Sequence, residues 1–216
     1  MKRIFTLIML LLVVFGFNAR AQKFDFISKI NIGIGANYNS IDYDGGDVFY
    51  SPGGGMGIEL GLGYHATENL VPYLTLGYQQ NIAIQYISSN GESLESSVFF
   101  NRTSFFAGAN YDYMPWKSAL KGIRFGGGIN YNFPGKMKIT ENNSTYSDLS
   151  YDSSLGYNAD VAFIVAIKSI KLLPGIRYRN MSFSASNSAD RYLLPSHLKT
   201  LNGSGVDLTI SFVKSF

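Results

Sequence analysis

The stretch Val206-Asp207-Leu208-Thr209-Ile210-Ser211-Phe212 indicates a two-faced β-strand, because every second side chain in it is apolar. In an extended chain the four apolar residues lie on one face, and Asp207, Thr209 and Ser211 lie on the other. Such a period of two is typical of a β-strand with one oily and one polar face. The same alternation recurs in seven upstream segments, at about 30–39, 57–65, 70–86, 102–113, 123–133, 155–165 and 172–179.

The composition limits the class of protein. The chain has 216 residues, of which 46% are hydrophobic, 15% aromatic and 15% charged, and it has no cysteine. Abundant aromatics and low charge argue against disorder, and the lack of cysteine excludes a disulfide scaffold or a cysteine-based metal site. Beyond residue 21 the acidic and basic side chains are equal in number, 15 of each, so no basic field attracts a nucleic acid.

The N-terminus is typical of a secretory signal peptide, which we predict over residues 1–21. Lys2 and Arg3 precede an apolar run from residue 4 to residue 17, and Ala19-Arg20-Ala21 places small residues at a cleavage site. We expect cleavage before Gln22 and one mature domain, 22–216. The apolar run is shorter than the roughly 20 residues that a spanning helix needs.

Eight two-faced strands could form a soluble sandwich or a barrel, and the chemistry of the two faces favours a membrane barrel. The polar face is rich in glycine and carries eight charged residues: Glu59, Arg102, Asp112, Arg124, Asp160, Arg177, Arg179 and Asp207. The other face carries branched and aromatic side chains that suit contact with lipid. We therefore predict an all-β, eight-stranded, antiparallel, up-and-down transmembrane β-barrel, with its oily face outward and a polar, glycine-rich lumen.

The connections between the predicted strands alternate in length. Long gaps lie at about 40–54, 88–97, 134–153 and 184–203, and the gaps between them are short. Outer-membrane barrels have short periplasmic turns and long outer loops, so both termini are expected in the periplasm and four loops outside. We expect these loops to be polar and solvated. They contain three acidic and three tyrosine residues of interest: Asp42, Asp44, Asp47, Tyr146, Tyr151 and Tyr192.

The last strand ends the chain on Phe216, four residues after Phe212. In strand pattern, length and terminus the mature chain resembles small eight-stranded outer-membrane proteins of the OmpA/OmpX type, in the porin-like β-barrel superfamily. The resemblance implies a location in the cell outer membrane, surrounded by its lipid and lipopolysaccharide. It also implies that Phe212 and Phe216 form the signal recognised by the barrel-insertion machinery. No residue-specific motif is shared, so the resemblance transfers no functional site.

An eight-stranded barrel encloses a lumen just wide enough for side chains. Four acidic residues and four arginines are predicted to face inward, which favours a lumen plugged by ion pairs. We therefore expect a monomeric protein with a structural or interaction role, contacting an extracellular protein or glycan through its loops. A narrow channel for small solutes is the first alternative. An enzyme acting on lipid A and a barrel component of a secretion system are further alternatives.

The sequence contains no convincing catalytic or metal-binding set. Its two histidines are His65, predicted at the short-turn end and pointing inward, and His197, in the last long loop. The acidic and histidine residues do not have the spacing of metal ligands. We predict neither enzymatic activity nor a cofactor.

Overall fold

The structure, a computed structural model, describes residues 24–43, 46–81, 84–85, 97–141, 144–186 and 196–216. The predicted signal peptide lies outside these ranges. Numbered in chain order, the elements are β1 (Phe24–Gly35), β2 (Asn39–Tyr43), β3 (Gly46–Tyr50), β4 (Gly55–Tyr64), β5 (Leu70–Gln80), β6 (Ile84–Gln85), β7 (Ser97–Phe99), β8 (Asn101–Tyr113), β9 (Leu120–Pro134), β10 (Met137–Glu141), β11 (Ser144–Leu149), β12 (Ser154–Ile167), β13 (Ile170–Asn180), β14 (Ser182–Ser184), helix α1 (Ser196–Lys199), β15 (Thr200–Asn202) and β16 (Gly205–Ser215). No helix in the described ranges is long and apolar enough to cross a membrane.

Eight long strands form a closed antiparallel barrel in the order β1-β16-β13-β12-β9-β8-β5-β4. Each strand pairs with the next barrel strand along the chain, and β16 closes the ring on β1, where Ile210 lies opposite Ile30. The connections at one end of the barrel are short, at 65–69, 114–119 and 168–169, and those at the other end are long. We call these the turn end and the loop end. The predicted eight-stranded up-and-down fold is confirmed.

The two faces of the barrel wall are oriented as predicted. Leu60, Phe125 and Leu208 point outward and are 49%, 47% and 64% exposed. Their sequence neighbours on the other face, including Glu59 and Asp207, are almost completely buried inside the barrel. A soluble sandwich would bury the oily set and expose the charged set, so the observed arrangement excludes it.

The long connections build a folded cap over the loop end. They form the small sheets β2-β3-β6 and β7-β10-β11, the two-stranded sheet β14-β15 and the short helix α1. The cap has its own hydrophobic core, made of Tyr50, Val98, Phe100, Met137, Ile139, Tyr151, Met181, Phe183, Ala185, Leu198 and Leu201. The prediction of solvated, polar loops is therefore wrong for this part of the chain, because alternating apolar residues in the loops fold against one another.

The loop residues named in the sequence analysis lie in different parts of the structure. Tyr151 is buried in the cap core, where its hydroxyl donates a hydrogen bond to the Leu198 carbonyl at 3.0 Å. Asp42 and Asp47 lie opposite each other in the β2–β3 hairpin, and Tyr146 lies in β11. The two others, Asp44 and Tyr192, lie outside the described residues.

Candidate functional site

The candidate site is the barrel lumen, into which the barrel strands direct every second side chain. The eight charged residues predicted for the polar face all point inward. Seven of them are at most 6% exposed, and the side chain of Asp160 is 13% exposed. Burial of this many charges is tolerable only if each of them is paired or hydrogen-bonded.

Arg177 is the centre of the lumen network. Its Nη1 lies 2.6 Å from Glu59 Oε2, and its Nε lies 2.7 Å from Asp160 Oδ1. Lys29 approaches the same two carboxylates, at 3.4 Å from Asp160 and 3.9 Å from Glu59. The guanidinium also lies over the Phe106 ring, 4.8 Å from its centroid. One arginine therefore joins carboxylates from β4 and β12 across the lumen.

Two further arginines make two-pronged pairs with aspartates on neighbouring strands. Arg124 lies directly opposite Asp112 in the β8–β9 ladder and contacts both carboxylate oxygens, at 2.6 and 2.8 Å. Arg179 contacts both oxygens of Asp207, at 2.5 and 2.6 Å. Bidentate arginine–carboxylate pairs are among the strongest hydrogen-bonded contacts in proteins, so these two fix their strands against each other.

At the loop end, two arginines hold the segment 51–54 inside the barrel mouth. Arg102 donates to the Pro52 carbonyl at 2.5 Å and to the Gln79 side-chain oxygen, and Arg179 donates to the Gly53 carbonyl at 3.0 Å. All four residues of the segment are buried. We call this segment, Ser51–Gly54, the plug.

The plug changes the expected pairing of charges. Four acids against four arginines suggest one carboxylate for each arginine, but Arg102 makes no ion pair within the part of the chain that the structure describes. Its guanidinium binds neutral oxygens of the plug and of Gln79 instead. Lys29, which the sequence analysis did not select, supplies the positive charge that was expected from Arg102.

A smaller cluster closes the turn end of the lumen. Asp25 is fully buried and accepts a hydrogen bond from the Ser215 hydroxyl at 2.5 Å, and His65 Nε2 lies 3.0 Å from the same carboxylate oxygen. His65 therefore lies at the turn end and points inward, as the sequence predicts. The cluster joins β1, β16 and the turn that follows β4, where the barrel closes.

Between this cluster and the central network, the lumen is apolar. Ile27, Tyr73, Phe106, Ile164, Leu173 and Val213 form a buried inward-facing group. A cavity of about 30 Å³ lies beside it, lined also by Lys29, Glu59 and Asp160. A space of this size holds roughly two water molecules. The predicted polar lumen is therefore interrupted by an apolar layer.

Sequence reasoning missed Asp25, Lys29 and one member of the apolar layer, Ile27, for one reason. The predicted first strand begins at Ile30, whereas β1 begins at Phe24. Extending the same alternation backward from Asn31 places Lys29, Ile27 and Asp25 on the inward face. The signal is therefore present in the sequence but lies beyond the predicted strand end.

The remaining candidates do not extend the site. His197 lies in α1, and the structure does not describe its side chain. Trp116 lies in a turn and is 41% exposed. Across the described ranges, no group of three or more histidine, aspartate or glutamate side chains is arranged to hold a metal ion.

A closed antiparallel barrel of eight strands, with an oily exterior and a charged interior, defines the class of outer-membrane β-barrels. The chain is similar in structure to a major outer membrane protein from Thermus thermophilus, at TM-score 0.55 and 13% identity over 91% of this chain and 100% of the other. It is also similar to the outer membrane protein OprG from Pseudomonas aeruginosa, at TM-score 0.54 and 15% identity over 91% and 96% of the two chains. No family model and no curated protein sequence matches the chain. The predicted resemblance to small outer-membrane barrels is confirmed at the level of the fold.

Proposed function

We propose that this chain is an integral outer-membrane protein that conducts no solute and acts through contacts made by its cap. The observation that supports this best is the plug, which Arg102 and Arg179 hold in the loop-end mouth of the lumen. Below it, the ion pairs of Arg177 cross the lumen from β13 to β4, and the cavity beside the apolar layer has room for about two water molecules.

The cap is the part of the molecule suited to recognition. Its buried aromatic core, with Phe100 against Tyr151 and Phe183 at ring-centroid distances of 6.2 and 5.7 Å, holds the small sheets in a fixed arrangement. A preorganised surface binds a partner at a lower entropic cost than a flexible loop does. The proposed partner is an extracellular protein or glycan, and the barrel serves as a monomeric membrane anchor without enzymatic activity.

Assembly into the membrane is part of the same proposal. Residues 1–21 act as the signal peptide, with cleavage before Gln22, and the terminal strand carries the insertion signal in Phe212 and Phe216. Both phenylalanines are exposed on the outside of the barrel wall, at 45% and 66%, where an insertion factor can reach them. Deleting Phe216 is expected to slow insertion in cells, and insertion at the normal rate would contradict this role.

Planar-bilayer recording of the refolded chain tests the closed lumen. We expect no reproducible unitary current from the wild type. The contrasting proposal is a narrow channel for small solutes, favoured by the cavity and by buried polar atoms that lack a partner among the described residues, such as Arg179 Nη1. Regular current steps in the wild type would support that channel and contradict the closed barrel.

Binding assays with immobilised extracellular proteins and glycans test the cap. The variant replaces 137–149, which form β10 and β11, with a short glycine–serine linker that leaves the barrel strands intact. We expect this variant to lose binding while it keeps the heat-dependent gel migration of a folded barrel. Equal binding by both forms, or no binding by the wild type, would contradict a role for the cap.

A further inference from the structure

The turn end of the barrel carries a cluster of unpaired lysines. Its members are Lys117, Lys121, Lys168 and Lys214; Lys171 is not one of them, because it lies on the inward face of β13 and interacts with the buried Asp25. Within the described ranges, none of the four makes a salt bridge, and the only exposed carboxylate side chain among the turn-end residues is that of Glu68. We call these residues the lysine cluster.

The lysine cluster occupies one continuous arc of the wall. Lys117 lies in the β8–β9 turn and Lys121 in β9, while Lys168 lies in the β12–β13 turn. In the next ladder, Lys214 of β16 lies opposite Ile170 of β13, two residues after Lys168. Since β8, β9, β12, β13 and β16 are consecutive in the barrel, the ammonium groups share one side of the rim.

The surroundings of the cluster indicate what it contacts. Trp116, Ile167, Ile170 and Phe216 are exposed on the same rim, at 41%, 52%, 40% and 66%. An apolar and aromatic border with lysines beside it places the cationic groups at the level of lipid headgroups, where long basic side chains reach toward the interface.

Two further features support a role for these charges. Lys168 has a backbone φ of 53°, the only positive φ of a non-glycine residue in the described part of the chain. A lysine is strained in this left-handed conformation, which glycine or asparagine adopts more readily. The four long connections, in contrast, contain nine acidic and four basic residues, so the two ends of the molecule have opposite charge.

We propose that the lysine cluster binds the anionic headgroups of phospholipids, such as phosphatidylglycerol, in the leaflet at the turn end. The contact is an electrostatic one between several ammonium groups and headgroup phosphates. It gives the barrel a preference for anionic over zwitterionic phospholipid around this part of its wall. It also favours the orientation in which the acidic cap lies away from that leaflet.

Trp116 is the only tryptophan in the chain and lies beside the cluster, so its fluorescence reports on the lipid there. The refolded chain is placed in phosphatidylcholine vesicles that contain either brominated phosphatidylglycerol or brominated phosphatidylcholine at equal mole fraction. Bromine quenches tryptophan fluorescence on contact. The ratio of quenching by the two brominated lipids therefore gives the affinity of this part of the wall for phosphatidylglycerol relative to phosphatidylcholine. We expect a preference for phosphatidylglycerol on the order of fivefold, the equivalent of one well-placed basic residue.

The test variant replaces all four lysines of the cluster by glutamine, and the control replaces Lys136 and Lys138, which lie at the loop end. We expect the preference to disappear in the first variant and to persist in the second. If the four-lysine variant fails to fold, raising NaCl from about 0.05 M to about 0.5 M with the wild type provides the second measurement, because salt screens exposed charges. Equal quenching by the two lipids, or a preference that survives either high salt or loss of the lysines, would overturn the proposal.

Discussion

At the scale of single residues, Arg177 carries the largest share of the lumen electrostatics, because it compensates Glu59 and Asp160 together. Removing one partner of a buried ion pair leaves an uncompensated charge, whereas removing an exposed pair changes little. The chain contains both kinds of pair. The exposed pair joins Lys136 to Asp148 at 2.7 Å, with side chains 60% and 41% exposed.

Arg177→Ala is therefore expected to lower the free energy of unfolding by about 3–5 kcal/mol, since Lys29 alone remains for two carboxylates. Lys136→Gln is the control and is expected to cost less than about 1 kcal/mol. Urea unfolding in lipid vesicles, followed by Trp116 fluorescence, measures both. Equal unfolding midpoints for the two variants would show that the lumen network does not stabilise the barrel.

Gly53 is a second residue with a specific requirement, because it lies in the plug. A β-carbon at this position would lie 1.9 Å from the Ser204 carbonyl oxygen, a backbone atom that cannot rotate away. A β-carbon at Gly127 would have its nearest contact at 3.5 Å. The two glycines therefore differ in whether a side chain fits.

Gly53→Val is expected to displace the plug and to lower stability by about 1–3 kcal/mol, the usual cost of overpacking. Gly127→Ala should be close to neutral. Protease cleavage near the plug and the urea midpoint measure the two effects. A Gly53→Val variant as resistant and as stable as the Gly127→Ala variant would mean that the plug is not tightly seated.

At the scale of elements, the cap and the barrel wall differ in how they are stabilised. The wall has continuous ladders between eight strands, whereas the cap depends on a small apolar core around Tyr151. Burial, together with the neighbouring Tyr50, raises the pKa of the Tyr151 hydroxyl above its usual value of 10. The cap therefore contains a buried group that resists ionisation.

This shift predicts a loss of cap stability at alkaline pH. Below pH 10 the tyrosine is neutral in both the folded and the unfolded cap, so its contribution is complete. As the pH rises above 10, the unfolded form ionises first and unfolding becomes more favourable. The protease resistance of the cap, compared between pH 9 and about pH 11, measures this loss of stability.

Tyr151→Phe provides the control for the alkaline effect. This variant loses the hydrogen bond to Leu198, at a cost of about 1 kcal/mol at neutral pH, but it has no hydroxyl to ionise. We expect its cap to lose less resistance than the wild type between neutral and alkaline pH. An identical pH dependence in both proteins would place the alkaline sensitivity elsewhere.

The element scale also shows how far the sequence could predict the structure. The barrel strands follow from alternation, because lipid on one side and a narrow lumen on the other impose opposite polarity on successive residues. Val206 to Phe212 is an example in which each side chain has the predicted orientation. The cap was missed because its strands are short: β7 and β14 have three residues each and β10 has five, which leaves little length in which a period of two can be recognised.

The sequence predicts which residue types line the lumen, but it does not predict which of them contact one another. Alternation alone places Arg102, Arg177 and Arg179 on the inward face. It cannot show that Arg102 binds the Pro52 carbonyl, because that contact depends on a loop that folds back into the barrel mouth. Contacts across the lumen, such as that between Arg177 and Glu59, depend on how the strands are staggered in the closed barrel. The pattern of residues within one strand does not reveal this stagger.

At the scale of the whole molecule, the central claim is that the oily face contacts lipid and the charged face lines a closed lumen. The chain has no cysteine, so single cysteines can be introduced and spin-labelled without background. Strand β16 is the most suitable place for such a scan, since its side chains alternate strictly between exposed and buried.

The decisive measurement is therefore the accessibility of spin labels at positions 206 to 212 to oxygen, which concentrates in lipid, and to a water-soluble nickel complex. We expect labels replacing Leu208, Ile210 and Phe212 to relax strongly with oxygen and weakly with nickel, and labels replacing Thr209 and Ser211 to respond weakly to oxygen. High oxygen accessibility at positions 209 and 211 with low accessibility at 208, 210 and 212 would contradict the lipid-facing assignment. Oxygen accessibility that does not alternate along the strand would contradict it as well.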